Sequence, residues 1–166
     1  MLADLLTALQ ASDAATALRK SFWVYPLVNA AHILGIALLV GAIVPLDLRL
    51  MGIIKKGRIR TLAAVLVPTA ATGLALAALS GAALFIVKPI DYAGSDLFLA
   101  KLALIGAGLI NVGLVRAVPR WAELVQSEES ILNPTEPNRR LRIAGAASIA
   151  IWIAVLILGR MIGYFL

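Results

Sequence analysis

The only histidine of this 166-residue chain, His32, lies inside an apolar stretch that is long enough to cross a lipid bilayer. Residues 23–47 read WVYPLVNAAHILGIALLVGAIVPLD. An imidazole can ligate a metal, exchange a proton near neutral pH or hydrogen-bond a cofactor. Because a polar side chain in hydrocarbon is costly, His32 is by default a functional residue whose partner has to be found.

His32 shares one face of its predicted helix with two other polar residues. At 3.6 residues per turn, Tyr25, Asn29 and His32 fall within one narrow stripe, which continues to Ile36. We expect this stripe to face the interior of a helical bundle. Two interpretations stay open. Either His32 binds a ligand with Tyr25 and Asn29 in support, or it is a packing residue that donates to a backbone carbonyl or to Asn29.

Two further basic side chains are predicted to lie at a similar membrane depth. Lys101 comes about one to two turns after the start of a later apolar segment, and Arg160 comes about one to two turns before the end of the last one. Tyr164 follows Arg160 by four residues and therefore shares its face. The sequence thus predicts a pocket lined by basic groups in the outer third of the membrane.

These cations have no carboxylate within the apolar segments to neutralise them. The nearest acids are Asp91, Asp96 and the C-terminal carboxylate. Since unpaired charges in hydrocarbon are costly, either those acids fold inward or an anionic ligand or lipid headgroup occupies the pocket. The alternative is that Lys101 and Arg160 extend their side chains to the membrane surface and take no part in a site.

The composition assigns the chain to the membrane. It is 61% hydrophobic and 14% charged, whereas an ordinary soluble domain is about half apolar and a quarter charged. The predicted fold is all-α, a single transmembrane domain over residues 1–166 that forms a four-helix bundle. The predicted spans are residues 23–46, 62–87, 97–118 and 142–164. Residues 1–20 are predicted as an amphipathic helix, lying on the membrane surface or packed on the outer rim of the bundle.

Lysine and arginine set the predicted orientation. Two loops, after the first and third spans, are rich in these residues, so the positive-inside rule places both in the cytoplasm. Four spans then leave both termini on the outer side, which predicts a multi-pass protein of the bacterial inner membrane with periplasmic termini. The residues concerned are Arg49, Lys55, Lys56, Arg58, Arg60, Arg116, Arg120, Arg139, Arg140 and Arg142.

Small and polar residues predict how the helices meet. Gly73, Ala77 and Gly81 recur every four residues, a pattern that lets a neighbouring helix approach closely. Asn111 lies near mid-membrane and is expected to hydrogen-bond another helix. At the inner end of the first span, the pair formed by Asp47 and Arg49 is predicted to cap the helix and interact, with a docking motif as the alternative.

Composition also excludes several chemistries. The chain has no cysteine, so it carries no disulfide, thiolate metal site or cysteine nucleophile. The net charge of +6 is read as an orientation signal and an attraction to anionic lipid, because no basic run is interleaved with aromatics as nucleic-acid binding would require.

Three segments carry a resemblance to known membrane proteins: residues 32–52 (HILGIALLVGAIVPLDLRLMG), 98–111 (FLAKLALIGAGLIN) and 159–164 (GRMIGY). They resemble an uncharacterised family of small bacterial four-span inner-membrane proteins. More distantly, they are similar to copper-resistance D-type membrane proteins and to four-helix membrane protoporphyrinogen oxidases. These share a His followed by a Gly-rich stretch on an early span and a Lys that opens a later one. The protoporphyrinogen oxidases are haem-b proteins.

The resemblance implies a haem or porphyrin site at His32 and Lys101. The chain has no second histidine, so haem iron would be five-coordinate, or would take Met161 or the His32 of a second subunit as its other ligand.

The leading hypothesis is a redox-linked membrane subunit. In it His32 ligates haem b or hydrogen-bonds a quinone or porphyrin, and Lys101 and Arg160 pair with an anionic group of the cofactor. The supporting donors are Tyr25, Asn29 and Tyr164. The alternatives are a non-enzymatic structural or assembly subunit of a larger complex and a copper or small-ion transport component. The expected partners are the lipid bilayer and either further copies of the chain or other membrane subunits; whether the protein is an enzyme stays open.

Overall fold

The computed structural model describes residues 1–126 and 137–165, and within them the chain is helical with no strand. The predicted all-α fold is therefore confirmed. The helices are α1 (Leu2–Gln10), α2 (Asp13–Lys20), α3 (Val24–Leu50), α4 (Ile59–Phe85), α5 (Pro89–Ala93), α6 (Asp96–Ala117), α7 (Pro119–Gln126) and α8 (Arg139–Phe165).

Four of these helices, α3, α4, α6 and α8, are long and apolar enough to cross a membrane. The protein is thus an integral membrane protein with a helical bundle. The first span was predicted to end at residue 46, but α3 continues through Pro45 to Leu50. A proline inside a helix leaves the carbonyl four residues earlier, here that of Gly41, without its usual backbone donor.

The bundle is built from two antiparallel pairs, α3 with α4 and α6 with α8, joined by contact between α3 and α8. Because the loops are short, consecutive spans are expected to be antiparallel neighbours. Helices α4 and α6, both described in full, are not among the closely packed pairs. We call the end formed by the first turns of α3 and α6 the outer end, after the predicted topology, and the opposite end the inner end.

The closest approach in the bundle is between α3 and α4. A Cβ atom built on Gly35 would lie 2.6 Å from the backbone nitrogen of Ala77, and one on Gly73 would lie 2.6 Å from the nitrogen of Leu39. The small-residue line on α4 therefore packs inside the subunit, against α3. The predicted partner for Asn111 is also present, since its side-chain amide donates to the carbonyl of Ala144 on α8 at 3.1 Å.

The N-terminal segment forms α1 and α2 and packs on the outer rim of the bundle. Ser12 caps α2 by accepting a hydrogen bond from the backbone nitrogen of Ala15 at 3.2 Å. Helix α1 contacts α5, the short helix of the outer loop. The guanidinium of Arg19 links the two regions through the carbonyl of Val87 at 3.4 Å. Helices α1 and α2 thus lie against the outer loop and the start of α3.

Candidate functional site

His32 is held against the backbone of α4. Its Nδ1 atom lies 2.8 Å from the carbonyl oxygen of Ala77 and 3.2 Å from the hydroxyl oxygen of Ser80. Because a carbonyl can only accept, Nδ1 must carry the hydrogen and donate it to Ala77. The hydroxyl of Ser80 donates in turn to the carbonyl of Leu76, so its oxygen is turned towards the imidazole as an acceptor. This interaction with a backbone carbonyl is one of the two interpretations that the sequence left open.

The small residues of α4 make room for the imidazole. A Cβ atom on Gly81 would lie 3.0 Å from Cε1 of His32, so the ring packs on a surface that only glycine provides without displacement. The close approach at Gly35 and Gly73, about one turn deeper than His32 and Ala77, brings the helices near enough for the ring to reach Ala77. His32 is half-buried as a result.

This arrangement fixes the chemistry of the ring. With the hydrogen on Nδ1, the Nε2 atom of a neutral imidazole carries the lone pair and can bind a metal or accept a hydrogen bond. Within the described residues, no side chain or carbonyl hydrogen-bonds Nε2. A histidine whose one nitrogen is anchored to a carbonyl and whose other nitrogen is available is the usual arrangement of a metal-ligating histidine.

Lys101 is placed by the start of α6. Ser95 caps this helix through the backbone nitrogen of Phe98, at 3.4 Å. The Nζ atom of Lys101 lies 4.9 Å from the centroid of the Phe98 ring, a cation–π geometry. Phe98 stacks on Phe85 of α4 at 5.5 Å, and Tyr92 lies 5.5 Å from Phe98, so the ring beside this lysine belongs to an aromatic cluster.

Lys101 and His32 belong to α6 and α3, which are not directly paired. A Cβ atom on Gly159 of α8 would lie 3.9 Å from Cδ of Lys101, which places the lysine against α8 as well. His32 is about 12 Å and Lys101 about 8 Å from the outer ends of their helices, at 1.5 Å per residue. The two groups are therefore at comparable depth.

No acid among residues 1–126 and 137–165 forms an ion pair with Lys101. Asp91 and Asp96, the acids that we considered as inward-folding partners, have exposed side chains. The C-terminal carboxylate, the third candidate, lies outside the described residues. Asp91 and Asp96 are therefore not placed to neutralise Lys101.

The other predicted site residues are more exposed than His32 and Lys101. Tyr25 is 40% exposed and Tyr164 is 82% exposed, and the side chains of Asn29 and Arg160 are exposed too. Tyr164 packs edge-on against Phe165 at 5.9 Å. Met161, which the resemblance offered as a second iron ligand, is 41% exposed. Of the predicted site residues, His32 and Lys101 are the half-buried ones, while these other residues face the surroundings of the subunit.

A second polar cluster lies at the inner end, where sequence reasoning gave only a cap or docking motif. Asp47 is 7% exposed and lies beside the side chain of Ser148 on α8. Its Oδ2 atom has no hydrogen-bond partner within the described residues. Arg49 is 1% exposed and donates from Nε to the carbonyl of Gly57 at 3.0 Å. The sequence feature that permits the approach of α8 to Asp47 is Gly145, where a Cβ atom would lie 3.0 Å from the carbonyl oxygen of Asp47.

Comparison with protein families, with curated proteins and with solved structures finds no match to this chain. Within the described residues, no group of three or more His, Cys, Asp or Glu side chains is arranged to hold a metal ion.

Proposed function

We propose that this protein is a redox-linked membrane subunit that binds haem b, a porphyrin or a quinone between His32 and Lys101, in the outer half of the bundle. The observation that carries the proposal is the hydrogen bond of 2.8 Å from Nδ1 of His32 to Ala77, which leaves Nε2 available. A redox cofactor at this place would supply electron transfer.

The residues present fit such a group. The Nε2 atom of His32 is a suitable ligand for haem iron and a suitable acceptor for a quinol hydroxyl. The ammonium of Lys101 is half-buried and unpaired with acids in the described chain, so it offers a charge-assisted hydrogen bond to a propionate or a quinone oxygen. Phe85, Tyr92 and Phe98 form an aromatic cluster next to Lys101, and an apolar surface beside the ammonium would strengthen any such interaction.

The proposal includes topology and surroundings. The two loops rich in lysine and arginine would lie in the cytoplasm, and both termini would then lie in the periplasm of a bacterium with the protein in its inner membrane. This topology would set the site near the periplasmic surface. The resemblance to small four-span inner-membrane proteins, and more distantly to the protoporphyrinogen oxidases, supports the same assignment. Further copies of the chain or other membrane subunits would supply the electron donor or acceptor.

The test is the cofactor content of protein purified from membranes in mild detergent. We expect a Soret absorbance band if the cofactor is haem or porphyrin, and a quinone in the organic extract if it is a quinone. His32→Ala is expected to lose the cofactor. Lys101→Met, which keeps the length of the side chain but removes its charge, is expected to weaken retention by about tenfold, the effect of losing one hydrogen bond to a charged group.

The matched control is Lys20→Met, since Lys20 is an exposed residue at the end of α2. It is expected to retain the cofactor as the wild-type protein does. Wild-type protein that is purified from the membrane fraction and shows neither a Soret band nor a bound quinone contradicts the proposal.

A second candidate function is the assembly of a larger complex. It is favoured by a surface of small residues on α6 that no other helix of the described chain covers. A Cβ atom on Gly106 or Gly113 of α6 would meet nothing within 4 Å, and these residues lie seven apart on one face. A helix from another subunit can approach closely at such a surface. Bulky substitutions there, such as Gly106→Leu, would then disrupt the complex while His32→Ala leaves it intact.

A further inference from the structure

A cleft of about 600 Å³ opens at the outer end, separate from the site at His32. Its walls come from the ends of α1 and α2, the start of α3 and the outer loop with α5. The residues that matter for its chemistry are Arg19, Phe22, Tyr25, Lys88 and Asp91. Because these segments flank the end of a membrane-spanning helix, the cleft lies at the level of lipid headgroups.

Arg19 is a fixed positive charge in this cleft. One terminal nitrogen donates to the carbonyl of Gln10 at 2.7 Å, and the other donates to Val87 at 3.4 Å. Both partners are neutral, and among the described residues no acid pairs with the guanidinium. A guanidinium has five N–H donors, so donors remain after these two bonds. Held in place and not neutralised, it is suited to bind a phosphate group.

Aromatic side chains extend the cleft towards the hydrocarbon. Phe22 is 80% exposed and Trp23 is 72% exposed, and their rings meet edge-to-face at 5.2 Å. Tyr25, which is 40% exposed, also lines the cleft. Aromatic side chains at this depth pack against the upper part of lipid chains. The cleft therefore combines a phosphate-binding charge with an apolar surface beside it.

We propose that this cleft binds a phosphate-bearing ligand, with Arg19 as the phosphate contact and Phe22 as the contact for an attached acyl chain. The phosphate can belong to a phospholipid headgroup or to free inorganic phosphate, and the aromatic border favours the lipid. Bound in this way, the ligand joins the N-terminal segment to the outer loop. The proposal is independent of a cofactor at His32.

The test is native mass spectrometry of the full-length protein in detergent, titrated with a diacyl phospholipid, with diacylglycerol of the same chains, or with inorganic phosphate. We expect the phospholipid to bind, and Arg19→Gln to weaken it by about tenfold or more, because a bond to a charged group is lost. Arg19→Lys keeps the charge without the planar fork, so it should lose less than Arg19→Gln. Asp91→Asn removes the acid of the cleft and should maintain or strengthen binding.

Arg58→Gln is the matched control, since Arg58 is an exposed arginine at the opposite end of the bundle. Equal losses for Arg19→Gln and Arg58→Gln would overturn the proposal, as would equal binding of phospholipid and diacylglycerol. If Arg19→Lys binds as weakly as Arg19→Gln, the arginine serves only to tether the N-terminal segment, and the proposal fails. If inorganic phosphate binds as tightly as the phospholipid, the phosphate site stands and its ligand is free phosphate.

Discussion

Gly35 of α3 and Gly73 of α4 lie so close together that each would place a Cβ atom within 3 Å of the other's carbonyl oxygen, at 2.9 and 2.8 Å. This crossing sets the separation of the two helices, and the separation in turn decides whether His32 can reach the carbonyl of Ala77. The geometry of the candidate site therefore depends on two residues that carry no side chain.

Gly35→Ala is expected to force α3 and α4 apart. The new methyl group would meet backbone atoms of Ala77 and Gly73, which cannot rotate away, so we expect a loss of about 1–3 kcal/mol in the free energy of unfolding. Cofactor retention at His32 should fall as well. Reversible unfolding in mixed detergent measures the first effect.

Gly41 on the same helix provides the control for that substitution. A Cβ atom there meets nothing within 4 Å, and alanine is the better helix former. Gly41→Ala should therefore leave stability unchanged or raise it slightly. Similar losses for Gly35→Ala and Gly41→Ala would argue against a close crossing at Gly35.

Asn111 holds α6 to α8 in the middle of the membrane. Asn111→Leu removes the hydrogen bond to Ala144 and is expected to cost about 0.6–1.7 kcal/mol, the measured range for such bonds between membrane helices. Thr69→Val is a suitable comparison, because the Thr69 hydroxyl donates only within its own helix, to Val65. If both substitutions prove equal in an unfolding assay, Asn111 contributes nothing specific to the contact between helices.

The side chain of Ser148 lies beside the buried carboxyl of Asp47, and we expect Ser148→Ala to cost about 1–3 kcal/mol because the carboxyl loses this polar neighbour. In an Asp47→Leu background the same change should cost much less, since no carboxyl remains to be satisfied. A double-mutant cycle measures this coupling. Additive effects of the two substitutions would show that the side chains do not interact.

Tyr92, in the outer loop, is expected to make the stability of the protein depend on pH in the alkaline range. Burial raises the pKa of Tyr92 above its ordinary value of 10.0, and Tyr25 and Asp91 add to this rise. The folded state therefore favours the neutral phenol. Its contribution to stability is present below about pH 10 and is lost as the pH rises through the folded-state pKa. Tyr92→Phe should flatten the decline of stability above pH 10, and an unchanged decline would assign it to other groups.

The sequence predicted those features that depend on local pattern. The four spans follow from length and apolarity, Asn111 from a polar side chain in hydrocarbon, and the line from Gly73 to Gly81 from its spacing. What it did not predict is which helices pair. A helix surrounded by lipid is apolar on all sides, so periodicity hardly distinguishes the face that meets another helix from the face that meets lipid.

The same limit explains the outcome at the predicted site. The stripe with Tyr25 and Asn29 was assigned to the interior because its residues are polar, yet both side chains are exposed, near the membrane surface where water or headgroups can satisfy them. Conversely, Asp47 is at the end of its span and was predicted only to cap or pair, although the small residue Gly145 lets α8 cover it. Whether a side chain is buried, and which helix covers it, depends on the tertiary structure and not on the local sequence pattern.

The most direct test of the account is an experimental density map of the protein purified from its native membrane. The account predicts density for a bound cofactor in contact with Nε2 of His32 and within hydrogen-bond distance of the Lys101 ammonium, and its absence in the His32→Ala protein. Nε2 packed against lipid chains or protein alone, with Lys101 turned to the surface, would contradict it.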